Sequence, residues 1–246
     1  MNPLAWLGAV LIGLSLGLTG AGGSILTLPV LVHLAGVPPR EAVPLSLLVV
    51  GSAAFVGALQ RMRSGALHVR AAAMFVLAGA AGAVPGAQLT PMVSPAALMI
   101  IFAVIMVAVA VRMLRGSDAA VAPAPECRPV RCLLAGGGVG VLTGFLGVGG
   151  GFLLVPALVK FARLPLPLAT GTSLAIIACN SAAGFAGHLG TGAIDWKIAA
   201  TFSIIAAAGV VIGGKFAGLL PQRTLRRGFA LLVLLTAAFV LTKSLV

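Results

Sequence analysis

The groups most able to do chemistry in this chain lie in two ten-residue stretches, GAGGSILTLP at 20–29 and GVGGGFLLVP at 147–156. Glycine disfavours a helix interior and proline breaks one, yet both stretches sit inside long apolar runs. A short helix that starts after a glycine turn leaves its first N–H groups without intrahelical partners, with positive dipole charge at that end. In hydrocarbon such groups must line a cavity or find a ligand. Gly20, Gly22, Gly23 and Ser24, with Gly147, Gly149, Gly150 and Gly151, are therefore candidates to hold an oxyanion without a buried Lys or Arg. Ser24 stands where it could cap ILTLP, and Gly151 takes that place in the second stretch. The competing role for these glycines is close helix packing.

A second set of polar groups follows each stretch. ATGTSLAIIACNSAAG (169–184) carries Thr170, Thr172, Ser173, Asn180 and Ser181, and its counterpart VPLSLLVVGSAAFVG (43–57) carries Ser46 and Ser52. Helical spacing brings Ser173, Asn180 and Ser181 near one face. Such groups inside a membrane either glue helices or line a path, and hydroxyls can also bond back to their own helix. Asn180 is the sharpest candidate, because an amide near the bilayer centre needs partners for its donors and its acceptor. Charge is nearly absent from the apolar runs. Asp195 and Trp196 sit at a block edge, Lys215 is placed to snorkel, and His33 and His188 could carry protons but fit a structural role at an interface.

These groups need elements that can sit in lipid. The chain is 60% hydrophobic and 8% charged, with a mean hydropathy of +1.18. Apolar runs long enough to cross a hydrocarbon core of about 30 Å recur from end to end, which makes this an all-α integral membrane protein. The first run has no preceding Lys or Arg and no small-residue cleavage site, so it reads as a retained segment. Cys127, Cys132 and Cys179 fit neither a disulfide framework nor a zinc site. A net charge of +12 would suggest nucleic acid in a soluble protein. Here the basic residues lie at the ends of apolar runs and no basic stripe with interleaved aromatics exists, so nucleic acid is excluded and the lipid bilayer is the partner.

Polar punctuation divides the chain into apolar blocks at about 4–34, 41–60, 70–90, 95–115, 131–159, 168–188, 197–219 and 225–243. The stretch RGSDAAVAPAPECRPVR reads as an exposed linker, so the single polytopic domain 1–246 contains repeat 1 (4–115), a linker (116–130) and repeat 2 (131–243). Sliding by 127 residues places Gly17, Gly20, Gly22, Gly23, Pro29, Pro38 and Ser46 on Gly144, Gly147, Gly149, Gly150, Pro156, Pro165 and Ser173. Gly57, Phe75, Gly82 and Gly86 fall on Gly184, Phe202, Gly209 and Gly213 without a gap. Internal duplication of this kind is common in secondary transporters. The offset also pairs Asn180 with Ala53, His188 with Arg61, His33 with Lys160 and Lys215 with Gln88.

Loop charge chooses a topology. As one straight helix, residues 4–34 would run about 46 Å, well over a bilayer. If every block crosses once, the sixteen Lys and Arg divide nine to seven between the faces, which orients nothing. If blocks 4–34 and 131–159 return to the side they came from, Arg61, Arg63, Arg70, Arg112, Arg115, Arg128, Arg131, Lys160, Arg163, Lys215, Arg223, Arg226 and Arg227 share one face. Only Arg40, Lys197 and Lys243 remain opposite. The bias predicts two inverted repeats, each a broken-helix hairpin followed by three transmembrane helices, with both termini outside the inner membrane.

Two copies of a GxGG-x5-P segment, each followed by an Ala/Ser/Thr-rich helix, resemble the sulfite exporter TauE/SafE family of bacterial membrane transporters, and the likeness covers nearly the whole chain. The resemblance implies transport of sulfur-containing oxyanions or organosulfonates, often in export. The expected function is a secondary transporter of a small anion working by alternating access; an anion channel or a carrier of a non-sulfur organic acid is the alternative. Few acids lie in the apolar runs, which argues against a cation pump and against an intramembrane enzyme needing clustered acid–base groups. No cofactor is expected, proton or ion coupling stays open, and the first repeat carries Ala53 where the second has Asn180.

Overall fold

The computed structural model describes residues 3–115, 128–147, 150–189, 194–217 and parts of 228–242. Nine helices have defined bounds among them: α1 Pro3–Thr19, α2 Gly23–Pro29, α3 Pro39–Arg63, α4 Val69–Leu89, α5 Pro95–Arg115, α6 Pro129–Leu146, α7 Gly151–Phe161, α8 Leu166–Gly187 and α9 Trp196–Phe216. The described residues between 228 and 242 are helical as well, and Val233, Ala237 and Val240 there join the core. Most of residues 116–130 lie outside the described set.

Proline sets several starts. Pro39 and Pro129 occupy first helical positions, where their missing N–H costs nothing. Asp195 caps α9, accepting from the N–H groups of Lys197 and Ile198 at 2.9 and 3.1 Å. Pro29, inside the first cassette, removes a backbone donor, and the chain continues from it as a π turn over Val30–Leu34 before leaving the helix. Among the described residues five helices, α3, α4 and α8 included, are long and apolar enough to cross a membrane. Leu7, Leu11, Phe55, Leu77, Ile204 and Leu231 are exposed on their outer faces, as lipid-facing side chains are. Trp196 is exposed at the start of α9, the position of an interfacial anchor.

Each first block is a hairpin. Gly23 packs against Ile12 and Leu16, and Gly8 against Val30, so α2 and its π turn run back along α1. In the second half the Sγ of Cys132, near the start of α6, lies 3.7 Å from the carbonyl oxygen of Phe161 at the end of α7. Cys132 is also in a disulfide, contrary to the expectation that the cysteines form none.

Helix contacts repeat when the halves are exchanged. α1 packs on α9 as α6 packs on α4, α3 packs on α9 as α8 packs on α4, and α3 meets α8 directly. Glycines set the closest approaches: Gly13 faces Ala206 and Gly17 faces Val210, while their mates Gly140 and Gly144 face Gly79 and Ala83. At each of these four positions an added Cβ would overlap the facing backbone, which is the small-residue packing that membrane helices use in place of a hydrophobic drive. Gly13, Gly17, Gly140 and Gly144 serve packing within helices, whereas Gly20 and Gly147 both turn the chain and pack against backbone.

Candidate functional site

Both cassettes break the helix by the same device. Gly20 and Gly147 adopt left-handed conformations, φ +72° and +68°, and their N–H groups close on Leu16 and Thr143 at 2.8 and 2.9 Å. This is the glycine stop of a helix C-terminus. A Cβ on Gly20 would lie 2.8 Å from Thr170 Cα, and one on Gly147 would lie 2.8 Å from Val43 Cα. Thr170 is the repeat mate of Val43, so the contact is reciprocal.

Two serines complete the exchange. Ser173 Oγ on α8 donates to the carbonyl of Gly20 at 2.7 Å, and Ser46 Oγ on α3 donates to the carbonyl of Gly147. Each hydroxyl also lies 2.8 Å from the carbonyl three residues back in its own helix, Thr170 and Val43. Each half thus holds the other half's break through a buried side chain. Such a bond is worth about 1 kcal/mol net, and its loss would leave a buried carbonyl short of a donor.

Beyond the breaks the chain restarts. The N-cap positions of α2 and α7 are Gly22 and Gly150, and neither start has a side-chain cap. Ser24 does not cap α2, as its position suggested; it sits inside the helix and donates to the Ala21 carbonyl at 2.8 Å. Thr19 serves the turn instead, its Oγ1 accepting from the N–H of Gly22 at 2.7 Å and of Ala21 at 3.3 Å. The two starts meet: a Cβ on Gly151 would lie 2.7 Å from Ser24 Oγ and 3.0 Å from the Ala21 carbonyl oxygen. Gly23, Ser24, Gly150 and Gly151 are all buried. Gly149 lies outside the described residues. The first turns of α2 and α7 thus touch inside the protein, and among the described residues no Lys, Arg, Asp or Glu is buried.

The other candidates divide. Asn180 is fully buried, and neither Oδ1 nor Nδ2 has a hydrogen-bond partner; the Ser181 hydroxyl also lacks one. Unsatisfied groups of this kind are rare in native interiors. Asn180 lies about 4.5 Å along the α8 axis from Ile177, whose Cδ1 meets Gly151. Its amide is accommodated by Gly79 on α4, where a Cβ would lie 2.6 Å from Oδ1. Ser173, Asn180 and Ser181 do not converge on one neighbour as a shared face suggested: they meet Gly20, Gly79 and Gly51 respectively. Two helical turns separate Ser173 from Asn180, and Ser181 is rotated from both. Thr172 accepts from the His68 N–H at 3.0 Å and ties the α3–α4 loop. Ser52 is exposed and bonds back to Val49 at 3.1 Å, away from the breaks. Thr19 and Gly79 were not singled out from sequence. The signal for Gly79 was there, since the repeat mates of the Asn180–Gly79 pair are Ala53 and Ala206.

A cavity of about 300 Å³ opens between the first hairpin and the last helical segment, lined by Leu26, Pro29, Val30, Leu34, Leu235 and Thr236. It is almost wholly apolar and suits a hydrocarbon tail better than an anion.

The sulfite exporter TauE/SafE family matches residues 5–240. The chain belongs to this family. A probable membrane transporter protein of Xylella fastidiosa (strain 9a5c) is 32% identical over 95% of this chain and 92% of its own length. The probable membrane transporter protein YdhB of Bacillus subtilis (strain 168) is 25% identical over 88% of this chain and 90% of its own. No solved structure matches. Family and relatives indicate a multi-pass membrane transporter and not an enzyme.

Proposed function

We propose that this family member is a secondary transporter of a small sulfur-bearing oxyanion or sulfonate, which binds where the N-termini of α2 and α7 face each other. The observation that carries the reading is the meeting of Ser24 with Gly151 at two buried, side-chain-uncapped helix starts. Backbone N–H groups and helix dipoles favour an anion there without a buried cation. The family description supplies the sulfur chemistry. Asn180, one turn beyond Ile177, adds donors and an acceptor that have no hydrogen-bond partner.

Alternating access would come from rocking of two inverted halves about the α3–α8 contact. Support for inversion lies in the hairpins, which add an even number of passes to each half, and in the exchange symmetry of the helix contacts. Charge agrees. The start of α8, which follows Lys160 and Arg163, packs through Gly171 on Ala66 and Arg61, so these basic residues gather at one end. Arg40 lies at the other, its Nη2 3.5 Å from the Val93 carbonyl. Both termini would then lie outside the inner membrane. A tag at the C-terminus should be reached by an impermeant reagent in intact cells, and a cytoplasmic tag would overturn the inversion.

The substrate reading is tested by thermal shift of the purified protein against sulfite, thiosulfate, sulfate, sulfonates and carboxylates. A ligand that binds only the folded state raises the midpoint by mass action. Stabilisation by sulfite or a sulfonate supports the reading; a response to inorganic cations alone overturns it. Flux into liposomes that saturates and is trans-stimulated marks a carrier, and flux that does not saturate marks a channel.

A further inference from the structure

Arg61 stands two residues before the end of α3, half-buried where that end meets the last turn of α1 and the start of α8. Its Nη2 donates to the Gly17 carbonyl at 3.4 Å, three residues ahead of the first break at Gly20. A Cβ on Gly171 would lie 3.3 Å from Arg61 Cβ, and the neighbouring Thr170 is the residue that lies against Gly20. The guanidinium is thus rooted where the break, the helix that holds it and the end of α3 come together.

A guanidinium carries five N–H donors. Among the described residues Arg61 makes one side-chain hydrogen bond, and 3.4 Å is long for N–H···O. No described carboxylate balances the charge. Glu41 is in the first turn of α3, about 30 Å away along the helix. Asp195 opens α9, whose other end reaches this junction: a Cβ on Gly214 would lie 2.6 Å from Gln60 Oε1. The length of α9 between Asp195 and Gly214 is about 28 Å. Asp118 and Glu126 lie outside the described residues. The neighbours are basic instead, with Arg63, Arg70 and Lys215 exposed on α3, α4 and the end of α9. A half-buried cation without a counter-charge carries a desolvation cost that a bound anion would offset.

The second half is built differently. The offset of 127 places His188 at the position of Arg61, and His188 is only 3% exposed. Its ring nitrogens lie 2.9 Å from the Gly184 carbonyl oxygen and 3.3 Å from Thr90 Oγ1. Thr90 Oγ1 donates at 2.8 Å to the carbonyl of Phe145, in the last turn of α6. Protein groups therefore serve the end of α6, whereas the end of α1 is served by a side chain with donors left over.

We propose that Arg61 is a docking site for an oxyanion of the sulfonate or phosphate type, at the mouth beside the first break and with no counterpart at His188. Its planar N–H fork matches two oxygens of such a group. The oxyanion is either the free anion passing to or from the centre or the phosphate of a lipid headgroup. The first source rests on the transporter reading; docking itself does not. Arg63, Arg70 and Lys215 raise the local anion concentration without fixing its position.

The test uses the full chain in phosphatidylcholine nanodiscs, titrated with sodium methanesulfonate against sodium chloride at equal ionic strength and read by melting midpoint. The half-saturating concentration should rise about tenfold in Arg61→Gln and about threefold in Arg61→Lys, which keeps the charge and loses the fork. Arg63→Gln should leave it unchanged. Arg61→Lys also keeps a cation at the end of α1, so it carries the test if Arg61→Gln does not fold. In liposomes, kcat/KM for methanesulfonate uptake should fall between about 20 and about 200 mM salt in wild type and lose most of that dependence in Arg61→Gln, which a packing role would not produce. Native mass spectrometry of protein purified with phosphatidylglycerol separates the sources. If Arg61→Gln sheds one phosphatidylglycerol and leaves the titration unchanged, the docked group is the lipid phosphate and the site stands. If Arg61→Gln alters neither titration nor lipid retention, or Arg63→Gln weakens binding equally, the inference is overturned. Asn180→Ala distinguishes the two anion sites: an unchanged titration there, with a weakened one in Arg61→Gln, removes the central site and leaves Arg61.

Discussion

The two halves of this transporter agree in the groups that stop and hold their broken helices and differ at a few side chains elsewhere. Gly20 and Gly147 stop their helices in the same conformation, and Ser173 and Ser46 hold the opposite break by the same bond. Gly13 and Gly17 set on α9 the approach that Gly140 and Gly144 set on α4. Against this frame stand three exchanges: Asn180 for Ala53, Gly79 for Ala206, and His188 for Arg61. The first two compensate, since the larger amide is admitted by the smaller neighbour. Symmetry thus marks what folding requires, and its violations mark what one half does alone.

The comparison can be broken most severely at the crossings. Gly13→Leu and Gly140→Leu each drive a side chain into a facing backbone and should abolish monodisperse folded protein, assayed by size-exclusion profile. Tolerance in one half only would refute equivalent packing. Smaller, and still symmetric, are the serines. Ser46→Ala and Ser173→Ala should each cost about 1–3 kcal/mol by leaving a buried acceptor short of its donor, and should lower the melting midpoint by similar amounts.

Next come the asymmetric sites, where stability and transport should part. Asn180→Ala removes a buried amide whose polar atoms are unpaired, so the melting midpoint should hold or rise. Anion uptake should fall about tenfold or more, against little change for the outward-facing Ser52→Ala. Equal and negligible effects on uptake would make α8 scaffolding. The smallest effect belongs to pH. His188 has its pKa lowered on folding, so the unfolded chain binds the proton more readily. Stability from this residue is fully present above the unfolded value of about 6.5 and is lost as pH falls below it. That decline should be absent from melting curves of His188→Gln.

Much of this was legible in the residues. The offset of 127 named the pairs that turn out to be in reciprocal contact, because a Gly or Ser kept in step across a duplication answers to the same backbone demand twice. The hairpins were legible from loop charge, since Arg61 and Lys160 share a face only if the first blocks turn back. Ser24 misled because Ser before an apolar run is a good capping signal, yet the glycines before it let the helix start earlier, at Gly23. Ser52 misled because a hydroxyl's spacing says nothing of which side its helix shows to lipid. Thr90 gave no sign at all: its partners are 55 and 98 residues away in the chain.

By itself the sequence determined the solvent, the internal pairing of residues at an offset of 127, and the breaks. Those follow from composition and local conformation, which act over a few residues. Only the tertiary structure decided that the two helix starts meet, that Asn180 lies unpaired against Gly79, and that His188 joins Thr90 and Phe145. These depend on how far one helix slides along another. A slide of one turn would preserve every local pattern while giving each side chain a different partner.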